Sequence, residues 1–345
     1  MNTQYFHKEL SEWFLSHHRV LPWRETDDPY KIWISEIILQ QTRVAQGYEY
    51  YMRFVEHFPE VGQLAQADEK EVLLLWQGLG YYSRARNLHA AARQIIEKFG
   101  GRFPTNYTDI HSLKGVGDYT ASAIASFAYN APYAVLDGNV YRVLSRMLDD
   151  ETPIDTTYGK KHFQECANQL LDTDNSRVYN QAVMELGAIC CTPLSPQCAR
   201  CPVNTLCKAH LHNTVRLLPV KQRTTLMRDR YFNHLIYIYN GQTLLQRREG
   251  EDIWKHLYEF PLIESASLLD SSAALEAFEA EQARVVRFLD LTHVLSHQRI
   301  HARFFVLNVK ALPMIEGTQK VSVDTLSDYP LSRLTMRALE QLLID

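Results

Sequence analysis

The sequence lacks the features that mark several large classes of protein. None of its hydrophobic runs approaches the ~18 residues of a membrane-spanning helix, and its first residues, MNTQYFHKELSEWF, do not join a basic segment to an apolar one as a secretory signal does. Hydrophobic residues make up 46% and charged residues 22% of the chain, which excludes collagen-like, low-complexity and disordered proteins. We therefore expect a soluble cytoplasmic protein, and 345 residues predict two domains.

The chain also lacks a large excess of charge of one sign. Its 36 basic and 40 acidic residues give a net charge of −4, which argues against a histone-like binder but is compatible with a nucleic-acid enzyme that has a local basic surface. A short basic run lies at residues 213–230. Its charged residues are Arg216, Lys221, Arg223, Arg228 and Arg230, with Asp229 as the acid. The run is either a solvated connector or a phosphate contact.

The spacing of apolar residues divides the chain near residue 212. Helical spacing dominates before that point, in segments 34–58, 70–79, 83–100 and 119–130. The first of these predicts one helix in which Gly47 is the sole breaker. After residue 215, β-rich runs on both sides of Asn240-Gly241 predict a hairpin, a strand is predicted over 302–312, and helices over 271–283 and 330–343. We predict a helical domain over 1–212, a linker over 213–229 and an α+β domain over 230–345.

Four of the six cysteines form a close cluster. Cys191, Cys198, Cys201 and Cys207 have the spacing C-x6-C-x2-C-x5-C, while Cys166 and Cys190 lie outside it. In a cytosolic chain, closely spaced cysteines bind metal more often than they form disulfides. Four thiolates can hold a zinc ion or an iron–sulfur cluster, and the spacing alone leaves both open.

A glycine-rich turn, LKGVGDYT at residues 113–120, lies between two helical segments. Gly115 and Gly117 allow the backbone to approach a ligand closely, and the N-terminus of the following helix suits a phosphate. Many ordinary helix–helix turns also use glycine, so the turn alone leaves DNA binding open. Asp137 follows in VLDGNV, a context that also suits a helix N-cap.

Glu36 is a second acidic candidate. It shares a helical stripe with Trp33, Gln40 and Arg43, away from the face formed by the neighbouring isoleucines. Periodicity alone therefore favours a solvated face for this residue.

Together these motifs resemble one family. The cysteine spacing is similar to the 4Fe–4S loop of the endonuclease III superfamily of DNA glycosylases, and LKGVGDYT with VLDGNV resembles its helix-hairpin-helix motif and catalytic aspartate. The strings WISEIILQQT, LPWR and GLGYYSRARNL are very close to the signatures of MutY-type adenine DNA glycosylases. The resemblance is close over the helical domain and weaker beyond it.

The resemblance implies a monomeric base-excision repair enzyme that removes adenine opposite 8-oxoguanine or guanine in double-stranded DNA. The target base must leave the stack before its sugar–base bond can be cut. By resemblance, Glu36 protonates the adenine and later activates water, while Asp137 stabilises or captures the oxocarbenium-like sugar. Tyr119 and Asn139 match residues that line the same pocket. One 4Fe–4S cluster on Cys191, Cys198, Cys201 and Cys207 is implied to be structural.

Position 119 separates two reaction types within the superfamily. The bifunctional relatives carry the pattern G-V-G-R-K-T, whose lysine forms a Schiff base with the sugar. The phenol of Tyr119 cannot form that intermediate. We therefore expect a monofunctional glycosylase that leaves an abasic site.

The resemblance also implies a set of DNA contacts. They are Trp23, Arg24, Gln41, Thr42, Leu79, Tyr81, Gly115 and Gly117. Gln41, Thr42, Leu79 and Tyr81 match residues that contact the duplex or wedge into it at the extruded base, where they replace lost stacking. Ordinary packing is the alternative for Leu79 and Tyr81.

From Tyr231 onward, with WKHLYEFP at 254–261, the chain resembles a Nudix fold. Nudix hydrolases hold Mg²⁺ with a glutamate run, R-E-x-x-E-E, and SSAALEAFEAEQARVV has no such run, so we expect no pyrophosphohydrolase activity. The string HVLSH matches the H-x-F-S-H loop that recognises 8-oxoguanine in MutY-type enzymes. Leu295 replaces the usual Phe there, and Ser296 and His297 match the residues that contact the damaged base. The alternative for this loop is ordinary surface structure.

Three other functions compete with this one. An endonuclease III-like glycosylase for oxidised pyrimidines is opposed by Tyr119 and by the second domain. A catalytically silent lesion-binding protein is opposed by the presence of both Glu36 and Asp137. A zinc-stabilised DNA-binding regulator would lack the broad visible absorbance of an iron–sulfur cluster.

Overall fold

The structure, a computed structural model, describes residues 2–222, 227–280 and 283–342. The chain divides into two units. Unit 1 comprises Met1–Ala65 and Ala90–Thr224, and unit 2 comprises Gln66–His89 and Thr225–Asp345. The sequence predicted a division into consecutive stretches, so it did not anticipate that residues 66–89 join the C-terminal part. Within the described ranges, no helix has both the length and the apolar character needed to cross a membrane.

The region before residue 213 is helical, as predicted. The α-helices of the described residues are α1 (Thr3–His17), α2 (Pro29–Leu39), α3 (Val44–His57), α4 (Val61–Gln66), α5 (Glu69–Leu75), α6 (Ser83–Phe99), α7 (Tyr107–His111), α8 (Asp118–Tyr129), α9 (Gly138–Leu148), α10 (Thr157–Leu170), α11 (Ser176–Glu185), α12 (Lys208–His212), α13 (Ser271–Ala277) and α14 (Arg333–Leu342). A π-helical turn, Leu186–Cys190, extends α11. Short 3-10 turns lie at Cys198–Arg200, Asn204–Leu206, Val215–Leu217 and Val323–Asp328.

The single helix predicted over 34–58 is wrong, because the chain forms α2 and α3 with a turn between them. Gln41 has φ 55°, a left-handed conformation that cannot continue an α-helix. Gly47, which the sequence suggested as the breaker, lies inside α3 instead. A Cβ at Gly47 would lie 2.7 Å from Cδ2 of Leu39, so glycine allows α3 to pack closely against the end of α2.

Small side chains give unit 1 its closely packed centre. The helix α8 has the sequence DYTASAIASFAY, and its residues from Thr120 to Ala128 are all buried. It packs against α2 and α11. A second group of buried residues joins α1, α9, α10 and α11 through side chains such as Phe6, Leu144, Phe163 and Val183. Burial of these apolar groups is the main favourable contribution to folding.

Unit 2 contains two β-sheets. The strands are β1 (Arg228–Ile238), β2 (Gln242–Arg247), β3 (Tyr258–Glu259), β4 (Leu262–Ser265), β5 (Arg284–Val294), β6 (Gln298–Asn308) and β7 (Thr318–Ser322). One sheet has the order β4-β1-β6-β5 and the other β3-β2-β7. β1 runs parallel to β6 and antiparallel to β4. Apolar residues of both sheets and of α14 form a common core that includes Phe232, Phe304 and Leu334.

The predicted turn at Asn240-Gly241 is confirmed, but the predicted hairpin is wrong. Both residues have positive φ, 50° and 70°, and Tyr239 pairs with Gln242 in a single bridge. Beyond that bridge the strands separate into different sheets. β1 has β4 and β6 as its neighbours, so β2 pairs with β3 and β7 instead.

The linker predicted over 213–229 ends earlier than expected, because β1 begins at Arg228. Arg230 is nearly buried and pairs with Asp252 at 2.7 Å and Glu264 at 2.6 Å. These carboxylates neutralise its charge inside unit 2, so a phosphate contact for Arg230 is wrong. Arg223 lies outside the described residues.

Candidate active site and cysteine loop

The four predicted catalytic residues, Glu36, Tyr119, Asp137 and Asn139, lie in one pocket of unit 1. Its volume is about 230 Å³. The polar residues that line it are Arg19, Arg24, Ser35, Glu36, Thr42, Tyr119, Asp137, Asn139, Gln181 and Glu185. The pocket is formed where α2, the start of α8, the start of α9 and the end of α11 come together. Residues far apart in the sequence thus share one polar cavity.

Glu36 is buried, so the solvated face suggested by its helical stripe is wrong. Its side chain is on α2 with 7% exposure, and the hydroxyl of Tyr119 donates to its Oε2 at 2.9 Å. Burial, with a smaller contribution from the charge of Asp137, outweighs the opposing effects of Tyr119 and Arg24 and raises the pKa of Glu36 to about 7. A carboxyl with such a pKa carries a proton in a large share of molecules near neutral pH.

Asp137 is a helix N-cap, the alternative that its sequence context offered, and it also lines the pocket. It is the N-cap of α9 and accepts from the backbone N–H groups of Asn139 at 2.8 Å and Val140 at 2.7 Å. It also lines the pocket, where Nδ2 of Asn139 donates to its second oxygen at 2.7 Å. Burial raises the pKa of Asp137, and the three donors, which favour the carboxylate, oppose this rise only in part.

Asn139 is held in place by Arg142, a residue that the sequence reasoning did not identify. Nη2 of Arg142 donates to Oδ1 of Asn139 at 2.9 Å and to the carbonyl of Gly187 at 2.7 Å. A Cβ at Gly187 would lie 2.6 Å from Cβ of Asn139, so the π-helical turn can pack against α9 only with glycine there. The amide of Asn139 is therefore fixed with its Nδ2 toward Asp137.

A buried ion pair forms another wall of the pocket. Glu185 at the end of α11 accepts from Nε and Nη2 of Arg19 at 2.8 and 2.6 Å and from Nη2 of Arg24 at 2.8 Å. Burial raises the pKa of Glu185, but the hydrogen bonds from the two guanidinium groups outweigh it and lower the pKa to about 2. The sequence reasoning missed Arg19, Gln181 and Glu185. Glu185 is a single acidic residue in the apolar string VMELGAIC, and this pattern could have indicated a buried, paired carboxylate.

The predicted DNA contacts near this pocket have different environments. Trp23 is buried and packs edge-on against Tyr51 at 5.0 Å, and Arg24 is paired with Glu185. Both line the pocket, and their DNA contacts remain predictions. Thr42 also lines the pocket, and Gln41 is exposed.

The two glycines of the predicted hairpin are not equivalent. Gly115 has φ 78°, a left-handed conformation that favours glycine. Gly117 is the N-cap of α8 with φ −100° and ψ −178°, which other residues also adopt. The backbone of this turn therefore requires glycine at position 115 only.

Unit 2 brings the remaining predicted contacts together. Leu295, Ser296 and His297 form the turn between β5 and β6, and this turn and residues 78–83 line a pocket of about 490 Å³. The hydroxyls of Tyr81 and Ser296 are hydrogen-bonded to each other. Tyr81 is 43% exposed, whereas Leu79 is 7% exposed. Ordinary packing within the protein, the alternative to a DNA contact, therefore fits the burial of Leu79 but not the exposure of Tyr81.

The four clustered cysteines line one cavity, together with Cys190 and Arg146. All six cysteines are free thiols, so the disulfide alternative is wrong. Nη1 of Arg146 donates to Sγ of Cys191 at 3.3 Å, and burial raises the pKa of the Cys207 thiol to about 11. In the described part of the chain, no group of three His, Cys, Asp or Glu residues is arranged to hold a single metal ion. An all-sulfur donor set around a cavity fits an iron–sulfur cluster.

Two family models match the chain. Residues 34–169 match the HhH-GPD superfamily of base excision DNA repair proteins, and residues 234–341 match the NUDIX domain. The first match contains Glu36, Tyr119 and Asp137, and the second contains the turn between β5 and β6.

Two similar relatives are both adenine DNA glycosylases. That of Buchnera aphidicola subsp. Baizongia pistaciae is 36% identical over 266 residues, which cover 76% of this chain and 74% of the relative. That of Rattus norvegicus is 43% identical over 214 residues, covering 59% of this chain and 42% of the rat protein. The match thus spans less than half of the mammalian relative.

A solved structure with a similar fold is that of a thermostable thymine-DNA glycosylase. It is 29% identical, with a TM-score of 0.56, and the match covers 61% of this chain and 97% of that one. The helical part of the chain therefore has the fold of a DNA glycosylase.

Proposed function

Because the chain belongs to the adenine DNA glycosylase family of helix-hairpin-helix base-excision repair proteins, we propose that it removes adenine opposite 8-oxoguanine or guanine from double-stranded DNA. The observation that carries the proposal is the environment of Glu36. This carboxyl is buried, has a pKa near neutrality, and shares its pocket with Asp137. Two carboxyl groups in different environments can divide the work of an acid and an anion.

In the proposed reaction, the adenine leaves the stack and enters the pocket of unit 1. Protonated Glu36 gives its proton to a ring nitrogen of adenine as the bond between that base and C1′ breaks. The electron pair of this bond stays with the adenine, and the sugar becomes an oxocarbenium ion. Glu36, now a carboxylate, accepts a proton from the water that attacks C1′, which restores the acid.

Asp137 supplies the negative charge in this proposal. Hydrogen bonds from Asn139 and Val140 favour its carboxylate and fix its direction. The carboxylate stabilises the sugar cation or captures it covalently until water completes the hydrolysis. Arg142 and Asn139 serve here as positioning residues, since they orient Asp137 without themselves accepting or giving up a proton.

We propose that the enzyme is monofunctional. Tyr119 occupies the position of the Schiff-base lysine, and its hydroxyl is bonded to Glu36. A phenol has no amine to condense with the sugar aldehyde. The product is then an abasic site in an intact strand, whose cleavage requires another enzyme or alkali.

Recognition of the opposite base belongs to unit 2 in this proposal. Ser296 and His297 would contact 8-oxoguanine, with Leu295 as an apolar contact and Tyr81 bonded to Ser296. Trp23, Arg24, Gln41, Thr42, Leu79, Gly115 and Gly117 complete the proposed DNA contacts. Leu79 is 7% exposed, so its proposed contact with the duplex would require its side chain to change position.

We propose that one 4Fe–4S cluster is held by Cys191, Cys198, Cys201 and Cys207. A bound cluster would join the ends of this loop and hold its shape. Arg146 donates to the sulfur of Cys191 and would offset negative charge on the thiolates. The proposal also includes action as a monomer, with DNA as its partner, in the cytoplasm.

The test uses duplexes that carry adenine opposite 8-oxoguanine, guanine or thymine, each scored with and without alkali. We expect alkali-dependent cleavage of the first two, and none with Glu36→Gln. Cleavage without alkali, with borohydride trapping of the protein on DNA, would contradict the monofunctional mechanism. Tight binding without excision would favour a lesion-binding protein, and excision of oxidised pyrimidines would favour the endonuclease III-like alternative.

A further inference from the structure

Residues 76–82 of unit 2 form a turn with an unusual backbone. Gly78 and Gly80 have φ 97° and 76°, and Tyr81 has φ 48°, a left-handed conformation that side chains disfavour. Hydrogen bonds within the turn hold this shape. Nε1 of Trp76 donates to the carbonyl of Gly80 at 3.2 Å, and the N–H of Gly78 donates to the hydroxyl of Tyr82 at 3.2 Å.

Both ends of this turn are attached to a single residue, Leu331. The N–H of Leu331 donates to Oε1 of Gln77 at 3.0 Å, and its carbonyl accepts from the hydroxyl of Tyr82 at 3.2 Å. Leu331 is 2% exposed and pairs with Tyr258 in a parallel bridge. The turn is therefore fixed to a buried point of unit 2.

Further contacts attach the flanking residues to the same unit. Glu69 at the start of α5 accepts from Nη2 of Arg247 at 2.9 Å and lies 2.6 Å from Nδ1 of His256. After the turn, Nη1 of Arg86 donates to the carbonyl of Lys255 at 2.7 Å. Residues 69–86 are thus connected to the C-terminal part of unit 2 before, within and after the turn.

We propose that Gln77 is a positioning residue for discrimination of the base opposite adenine. Tyr81 and Ser296 are on separate stretches of chain, and their hydrogen bond requires a fixed distance between the turn and the β5–β6 loop. The contacts of Gln77 and Tyr82 with Leu331 set that distance. The proposal rests on the proposed function, since discrimination can be measured only if adenine is excised.

Two variants of similar length test this role. Gln77→Met removes the acceptor for the N–H of Leu331, and Gln77→Glu keeps an acceptor there. The measurement is the single-turnover rate of adenine excision opposite 8-oxoguanine divided by the rate opposite guanine, with thermal melting of each variant recorded. We expect Gln77→Met to lower this ratio about fivefold, a factor typical of one hydrogen bond, and Gln77→Glu to preserve it.

The ratio separates positioning from a general structural effect. If Gln77→Met changes the excision rates opposite 8-oxoguanine and opposite guanine by the same factor, or leaves both rates unchanged, the proposal is wrong. If that variant folds poorly, Tyr82→Phe removes the other attachment to Leu331. We expect Tyr82→Phe to lower the same ratio of rates. An unchanged ratio in this variant would also overturn the proposal. Failure of the wild-type protein to excise adenine would overturn the proposed function first, and the inference with it.

Discussion

Two walls of the unit 1 pocket each carry a buried glutamate, and the two residues have opposite pKa shifts. Glu36 has the hydroxyl of Tyr119 as its hydrogen-bond donor, and its pKa is raised to about 7. Glu185 has two guanidinium groups, and its pKa is lowered to about 2. The comparison shows that burial alone does not decide protonation, because the charge of the partner determines whether the acid or the carboxylate is stable.

Replacing Glu36, the glutamate with the raised pKa, should have the largest effect on the reaction. We expect Glu36→Gln to lower the single-turnover rate of adenine excision by about 10²–10⁴, the typical contribution of a general acid. The control is Glu12→Gln on the exposed surface of α1, which should leave the rate unchanged. Glutamine retains the shape of the side chain, so DNA binding should be kept. A loss of DNA affinity by the same factor as the loss of rate would contradict the assignment of Glu36 as the general acid.

Replacing Glu185, the glutamate with the lowered pKa, should instead lower the stability of the protein. Glu185→Gln leaves Arg19 and Arg24 without their carboxylate in a mostly buried site, at an expected cost of about 3–5 kcal/mol in the free energy of unfolding. Urea denaturation measures this cost. The matched comparison is Glu165→Gln, whose carboxylate is exposed and lies 4.0 Å from Lys161. A similar small change in both variants would show that the buried pair contributes little.

The two glutamates should also give stability profiles of opposite slope against pH. The pKa of Glu36 is raised from 4.5, so its contribution is present below the unfolded pKa and is lost as pH rises through about 7. The pKa of Glu185 is lowered from 4.5, so its contribution is present above the unfolded pKa and is lost as pH falls toward 2. We expect Glu36→Gln to raise the melting temperature relative to wild type more at pH 8 than at pH 5. The opposite order would contradict the raised pKa.

The smallest expected effect is a shift of the pH profile of excision. The rate should fall as pH rises through about 7, because Glu36 loses the proton that it must donate. The hydrogen bond from Tyr119 lowers the pKa of Glu36, so Tyr119→Phe should move this fall to higher pH. Single-turnover rates between pH 5 and 9 test the shift. A move to lower pH would indicate that Tyr119 favours the protonated acid.

Local patterns predicted the helical character of the first part of the chain and the change to β-structure after it, but not the contacts that override local spacing. The apolar residues before and after residues 40–43 keep helical spacing, although Gln41 has a left-handed conformation that ends the helix there. Charge patterning placed Arg230 in a basic linker, either solvated or in contact with phosphate, whereas the structure pairs it with Asp252 and Glu264 inside unit 2. Periodicity placed Glu36 on a polar face, because nothing in a helical stripe indicates that Tyr119 will cover that face.

The candidate site was predicted through its motifs rather than through periodicity. The positions of Glu36, Tyr119, Asp137 and Asn139 were identified, and the structure places them in one pocket. Arg19 and Glu185 were missed because they act through each other across 166 residues. Such a pair has no local spacing that a single sequence can reveal.

The discontinuity of unit 2 has a consequence for the order of folding. Gln77 and Leu331 are separated by 254 residues, and closing a long loop carries an entropic cost that local helices do not have. During synthesis, residues 66–89 leave the ribosome long before the strands and the helix α14 that complete their unit. Unit 2 can therefore become native only after α14 has been made, and the turn that bears Tyr81 must wait for residues more than 250 positions later before it reaches its final shape.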